Sequence, residues 1–224
     1  NIIDYSLLQR MLVNEEKPIL FEGAQGVLLD QSHGFAPFDT WTDTTANEAQ
    51  KLLAMLGYRN QISVTGIMRT FVTRHGPGPC PTEDEKLSSI FVDPNNPFNP
   101  YQREFRVGWL DLPMLRYALE VQEIDNLVIT HLDWLDELDK RKMAAFVGVR
   151  YTKEGQGYNL HPTPYRYHLP EPDPEVAQDL SICDVTYETF NPSDIPSLIK
   201  AFTAAPLLMT ASGPSYKDRE FFKV

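Results

Sequence analysis

Three short apolar runs constrain this chain more than any other feature. Residues 19–21, 126–130 and 206–210 are dominated by apolar side chains, and each run breaks at once into a turn of small or polar residues. Ile19-Leu20-Phe21 breaks into Glu22-Gly23-Ala24-Gln25-Gly26. Asn126-Leu127-Val128-Ile129-Thr130 breaks into His131-Leu132-Asp133, and Pro206-Leu207-Leu208-Met209-Thr210 into Ala211-Ser212-Gly213-Pro214. Runs of this length and composition read as strands buried on both faces, the pattern of a parallel sheet covered by helices. In open sheets of that kind ligands bind outside the carboxyl ends of the strands. The sequence therefore predicts an α/β fold, a mostly parallel central sheet flanked by helices, with Gln25, Asp133 and Gly213 on one rim.

The intervening segments support that reading. Helical spacing predicts helices over 4–13, 45–56, 112–121 and 193–204, the first behind an Asp cap and the second stopped by Gly57. Residues 61–72 and 144–151 read as further strands. The glycine- and proline-dense 73–83 reads as a rigid turn, and 86–101 as a long loop carrying arginines toward the third helix. Residues 152–192 give a weak signal and are expected to form a peripheral excursion from a single domain over 1–224. The chain starts at Asn1 without an initiator Met, and reads as the later part of a longer protein.

With 224 residues and a net charge of −11, the chain does not suit nucleic acid or an anionic membrane surface as a main partner. A phosphate would need a local cluster of cations, and Arg69, Arg74, Arg103 and Arg106 supply one. Two cysteines, Cys80 and Cys183, make no disulfide framework, so a reducing cytoplasm is the default. No run is long and apolar enough for a membrane span. His75 and Cys80 lack a partner pair at zinc-ligand spacing.

At the rim, Gln25 offers both a donor and an acceptor, as a purine edge or oxo group requires. The Asp133 carboxylate can accept two N–H donors at once, matching the N1–H and 2-amino group of guanine. Gly213-Pro214 gives a backbone wall for a flat base. Singly, each also suits a purely structural role, as a turn amide, a helix N-cap and an ordinary turn.

Together the segments FEGAQGVLLDQSHG, Thr40 with TTA, TRHGPGPCPTE, REFRVGWLD, THLDWLD and SGP resemble the later half of adenylosuccinate synthetase, in order and spacing, from about Leu20 to Pro214. The resemblance implies a P-loop NTPase-like relative that joins L-aspartate to IMP while consuming GTP. It also implies a cytoplasmic homodimer and Mg2+ brought by the nucleotide chemistry. Gln25, Thr40, His75, Gly76 and Arg103 would then hold the purine nucleotide, and Arg103 with Arg106 the amino acid. Asp133, His131, Gly213 and Pro214 would hold GTP. The family's glycine-rich phosphate loop and its catalytic Asp and His lie in the earlier half. Catalytic residues are therefore expected before Asn1, and Asp30 and His33 are expected to be structural.

This sequence also departs from the family pattern. Pro100-Tyr101-Gln102 stands where the family carries paired threonines and a glycine, and Phe105 stands where it carries an arginine. His131 replaces a lysine, and His75 a small apolar residue. These departures leave two alternatives open: a 2-aminoadenylosuccinate synthetase-like enzyme acting on (d)GMP with ATP, and a nucleotide-binding pseudoenzyme.

Overall fold

The structure, a computed structural model, describes residues 4–14, 18–94, 96–162 and 174–223. In chain order, α1 (Tyr5–Gln9) is capped by Asp4, whose carboxylate accepts from the Leu7 N–H, and runs into a π-helical turn. The first long loop ends in α2 (Asn47–Met55). β1 (Thr65–Arg69), β2 (Val72–His75), α3 (Glu85–Ile90), β3 (Phe105–Gly108) and β4 (Leu110–Asp111) follow. Next come α4 (Leu112–Val121), β5 (Asn126–Thr130), α5 (Leu132–Lys140) and β6 (Ala145–Lys153). β7 (Gln156–Tyr158), α6 (Pro174–Ile182), β8 (Asp184–Phe190), α7 (Ile195–Thr203), β9 (Leu207–Ala211) and β10 (Arg219–Phe221) complete the chain.

The central sheet has the order β1-β5-β9-β10, with β1, β5 and β9 parallel and β10 antiparallel. Leu127, Val128 and Ile129 are buried in succession, as expected where both faces are covered. Leu135 and Leu138 of α5, and Ile195 and Ile199 of α7, join them in one core at helical spacing. Complete burial of a side chain such as Ile129 stabilises the fold by about 1.5–3 kcal/mol. A second cluster packs Phe35, Met114, Tyr117, Tyr151, Leu160 and Leu180. β2 and β3 form an antiparallel pair outside the central sheet, while β6 pairs with β4 in parallel and with β7 and β8 antiparallel.

Several expectations change. Residues 19–21 are irregular rather than a strand, with Leu20 91% and Phe21 41% exposed. An apolar run becomes a strand only where it pairs with a neighbour, and residues 19–21 pair with no strand of the sheet among the described residues. The run 61–72 divides into β1 and β2 because Thr70 turns aside, its N–H donating to the Thr130 carbonyl and its hydroxyl to that of His131. The loop 86–101 begins inside α3, which Asp84 caps by accepting from the Lys86 N–H. The helix expected over 112–121 is present, started by Asp111 and Pro113. In the weak-signal stretch, β7, α6 and β8 appear, and the rest of 163–173 lies outside the described residues.

Candidate functional site

β5 and β9 are parallel neighbours, so the loops that follow them leave the same edge, from strands about 5 Å apart. After Thr130 the chain enters the left-handed region at His131, φ 64°, and starts α5, with Asp133 in its first turn. Asp133 is half-buried, and its carboxylate has no hydrogen-bond partner among the described residues. The His131 ring lies 2.9 Å from the Thr130 hydroxyl through Nδ1 and edge-on to Trp134, which stacks on Phe91 at 4.4 Å. Burial, and then the Arg69 charge, holds His131 below its ordinary pKa, so the ring is neutral at pH 7. Beyond β9, Asp218 closes the turn: its carboxylate accepts from the Ser215 N–H at 2.8 Å and its carbonyl from the Ser212 N–H. A Cβ on Gly213 would come within 2.6 Å of that carboxylate, so a larger residue there would have to displace the Asp218 side chain.

The loop from Gly23 to Ala46 is organised by Asp30, which is 1% exposed. One carboxylate oxygen accepts from the Ser32 and His33 N–H groups, the other from the Thr44 N–H and hydroxyl. With both oxygens occupied, Asp30 fixes the loop and is not free to act as a base. The Tyr117 hydroxyl donates to the His33 carbonyl at 2.6 Å. Thr40 is held by its N–H on the Leu29 carbonyl, and the Gln25 side-chain amide donates to the Thr40 hydroxyl at 3.3 Å. Gln25 and Thr40 therefore stand together.

A third group surrounds the turn that follows β2 and the residues that lead into β3. Arg74 faces Arg106, and His75 faces Phe105, directly across the pair. The Gly76 N–H donates to the Glu104 carbonyl. The Arg106 guanidinium donates to the Gly76 and Gly78 carbonyls. Its Nε forms an ion pair with Glu83 at 3.0 Å without hydrogen-bond alignment. Arg103 has φ 61°, exchanges backbone hydrogen bonds with Asn99, and leaves its side chain exposed. An open cleft of about 460 Å³ results, lined by Gly76, Pro77, Phe98, Arg103, Glu104 and Arg106, with Pro100 at its side. The His75 ring meets Phe105 edge-on, and its buried Nε2 has no partner among the described residues.

The predicted residues thus form three groups: Gln25 with Thr40; His75, Gly76, Arg103 and Arg106; and His131, Asp133, Gly213 and Pro214. The first two are joined through Arg74, whose guanidinium bonds Phe38 in one loop and Pro77 in the other. The second and third are joined through Thr70 and the short link from β1 to β2. Gln25 does not reach the rim on a strand of the sheet, because residues 19–21 are not one. Sequence reasoning placed Arg74 in a cation cluster but did not find its tethering bonds. It also missed the buried roles of Asp111 and Thr82, which lie inside segments read for other residues, and of Tyr151, which carries no local motif. The Cys80 thiol is pushed up to about 11 by burial, which makes it a poor nucleophile at neutral pH.

Comparison with known proteins places this geometry among relatives. The family model for adenylosuccinate synthetase matches residues 1–202. The curated adenylosuccinate synthetase of Synechococcus sp. (strain RCC307) is 36% identical over 191 residues, 84% of this chain and 40% of the relative. That of Picrophilus torridus is 34% identical over 187 residues, 83% of this chain and 41% of the relative. The chain therefore spans about two fifths of the length of these relatives. The fully ligated adenylosuccinate synthetase of Plasmodium falciparum shares the fold with a TM-score of 0.75 at 24% identity, over 99% of this chain and 54% of that one. Cyanophage S-2L succinoaminodeoxyadenylate synthetase (PurZ), bound to dGMP and dATP, gives a TM-score of 0.57 at 16% identity, over 98% and 50%.

Proposed function

Because this chain belongs to the adenylosuccinate synthetase family, we propose that it is the nucleotide-reading part of a purine-biosynthesis ligase. The reaction uses GTP to join L-aspartate to the 6-position of IMP, giving adenylosuccinate. GTP first phosphorylates the 6-oxygen. The aspartate amine then attacks C6, and phosphate leaves with that oxygen. The observation that carries the reading is the Asp133 carboxylate at the end of β5, without a hydrogen-bond partner among the described residues, next to the strand end that carries the Gly213-Pro214 turn.

The three groups divide the substrates between them. Asp133 accepts the N1–H and 2-amino group of guanine; adenine would set its N1 acceptor against the carboxylate, an unpaired contact that disfavours it. His131, Gly213 and Pro214 flank the base. Gln25 meets the edge of the purine that reacts, and Thr40 its 5′-phosphate. The backbone at His75 and Gly76 meets the ribose. Arg103 reaches the ribose and the amino-acid carboxylate. Arg106 borders the same cleft, but its donors rest on the Gly76 and Gly78 carbonyls, so Arg103 is the freer cation for a carboxylate.

Among the described residues no three His, Cys, Asp or Glu side chains form a metal-ligand group. Mg2+ is assigned to the nucleotide phosphates, and no step is routed through it. No described helix is long and apolar enough to cross a membrane. A cytoplasmic homodimer completes the reading.

A second reading, (d)GMP as acceptor with ATP as donor, is favoured by one feature: Phe105, not a cation, lies against His75 in the strand pair behind the cleft-lining Gly76 and Arg106. Titration calorimetry with IMP, dGMP, GTP and ATP separates the two. The first reading expects GTP to bind more tightly than ATP and IMP more tightly than dGMP; the reverse order selects the second. Phosphate release by the full-length protein with IMP, L-aspartate and GTP tests the reaction itself.

A further inference from the structure

Arg74 is buried, 9% exposed, yet its bonds run in two directions. Nε donates to the Pro77 carbonyl at 2.8 Å, and Nη2 donates to the Phe38 carbonyl, also at 2.8 Å. Pro77 follows Gly76 in the turn after β2, and Phe38 lies two residues before Thr40 in the first long loop. A planar guanidinium can bridge two carbonyls at a fixed angle, whereas an ammonium is a single point donor. The neighbourhood is built to admit this side chain. Gly78 has φ +111°, and a Cβ there would lie 2.2 Å from Arg74 Nη2. Arg74 keeps this place although Arg106 faces it across the strand pair and burial lowers its pKa. Like charges directly opposite destabilise a pair unless other contacts compensate.

We propose that Arg74 is a positioning residue: its two-way tether holds the Thr40 loop and the Gly76 turn at one fixed separation, so that both grip the same purine nucleotide. The inference rests on the nucleotide reading above. Arg74→Lys keeps the charge and loses one arm of the tether. Gly78→Ala attacks the same contact from the opposite side.

The test compares the full-length protein, unsubstituted, with its Arg74→Lys, Gly78→Ala and double variants, by IMP and GTP titration and by amide hydrogen exchange. Each single variant is expected to weaken IMP binding about tenfold and leave GTP binding unchanged. Exchange should speed up at Thr40 and Gly76, whose N–H groups bond Leu29 and Glu104, while β5 stays protected. The double variant should bind IMP no more weakly than Gly78→Ala alone, because both act on one contact. Unchanged IMP affinity and unchanged exchange in Arg74→Lys would overturn the proposal. Parallel losses of IMP and GTP affinity, with protection lost across β5, would also overturn it, since Arg74 would then only support the fold. If the unsubstituted full-length protein binds no IMP, the nucleotide reading fails, and the exchange pattern alone decides whether the tether exists.

Discussion

The Tyr151 hydroxyl donates a 2.5 Å hydrogen bond to Asp111 Oδ2, and both side chains are buried. The other Asp111 oxygen accepts from the Met114 N–H and so caps α4. One carboxylate thereby ties β4, α4 and β6 together. Burial pushes Asp111 up to about 6, although the hydrogen bonds from Tyr151 and Met114 oppose the shift.

This raised value sets a pH dependence. An acid whose folded pKa exceeds its unfolded value of 3.8 favours the folded state when protonated. Its contribution is fully present below 3.8 and is lost as the pH rises through about 6. The window corresponds to about 3 kcal/mol. Asp111→Asn should therefore flatten the fall in urea midpoint between pH 4 and 6.5 relative to the parent chain. An identical slope in the two proteins would remove Asp111 as the cause.

Tyr151→Phe removes the donor and leaves the buried carboxylate less satisfied. The chain should lose about 1–3 kcal/mol at pH 7, read from denaturant unfolding. The loss should shrink at pH 4, where Asp111 is closer to neutral.

Asp30→Ala leaves the N–H groups of Ser32, His33 and Thr44, and the Thr44 hydroxyl, without their common acceptor. A loss of about 3 kcal/mol is expected, together with faster exchange through the first loop. Exchange confined to Ser32 and His33 would show that the Thr44 arm contributes little.

Asp133→Asn converts one of two acceptors into a donor. The preference for GTP over ATP in competitive binding should fall about tenfold while stability changes little, because the carboxylate has no partner among the described residues. A preserved preference would remove Asp133 from the base-reading role.

Arg103→Ala deletes an exposed cation that makes no side-chain bond among the described residues. Its effect should appear in the full-length protein as a roughly tenfold rise in the apparent KM for the amino acid, with the unfolding midpoint unchanged within about 0.5 kcal/mol. A shift in the nucleotide constant alone would place Arg103 on the nucleotide.

Helices and strands with strong periodicity were legible before any coordinates. β5 follows a run that is apolar on both faces, and α4 carries its own start signal in Asp111 and Pro113. Residues 19–21 have the same apolar character as β5 yet stay irregular, because strand formation depends on a neighbour that local sequence does not encode. α3 was hidden inside a stretch rich in serine, proline and asparagine, where the Asp84 cap is the main signal.

The sequence by itself determined which residue types stand at the turns: the carboxylate of Asp133, the amide of Gln25, and the glycines at 76, 78 and 213. Composition and order along the chain carry that information, and they were enough to indicate the family. Only the tertiary structure decided which of those groups remain free and which are consumed. Arg106 is taken up by the carbonyls of a turn, Asp30 by three backbone N–H groups and a hydroxyl, and Arg74 by two loops distant in sequence, while Asp133 keeps its oxygens open. A side chain's availability depends on the partners that folding brings within hydrogen-bond reach. Some of those partners are far along the chain, with Phe38 at 36 residues from Arg74 and Gly78 at 28 from Arg106, beyond anything a local pattern can specify.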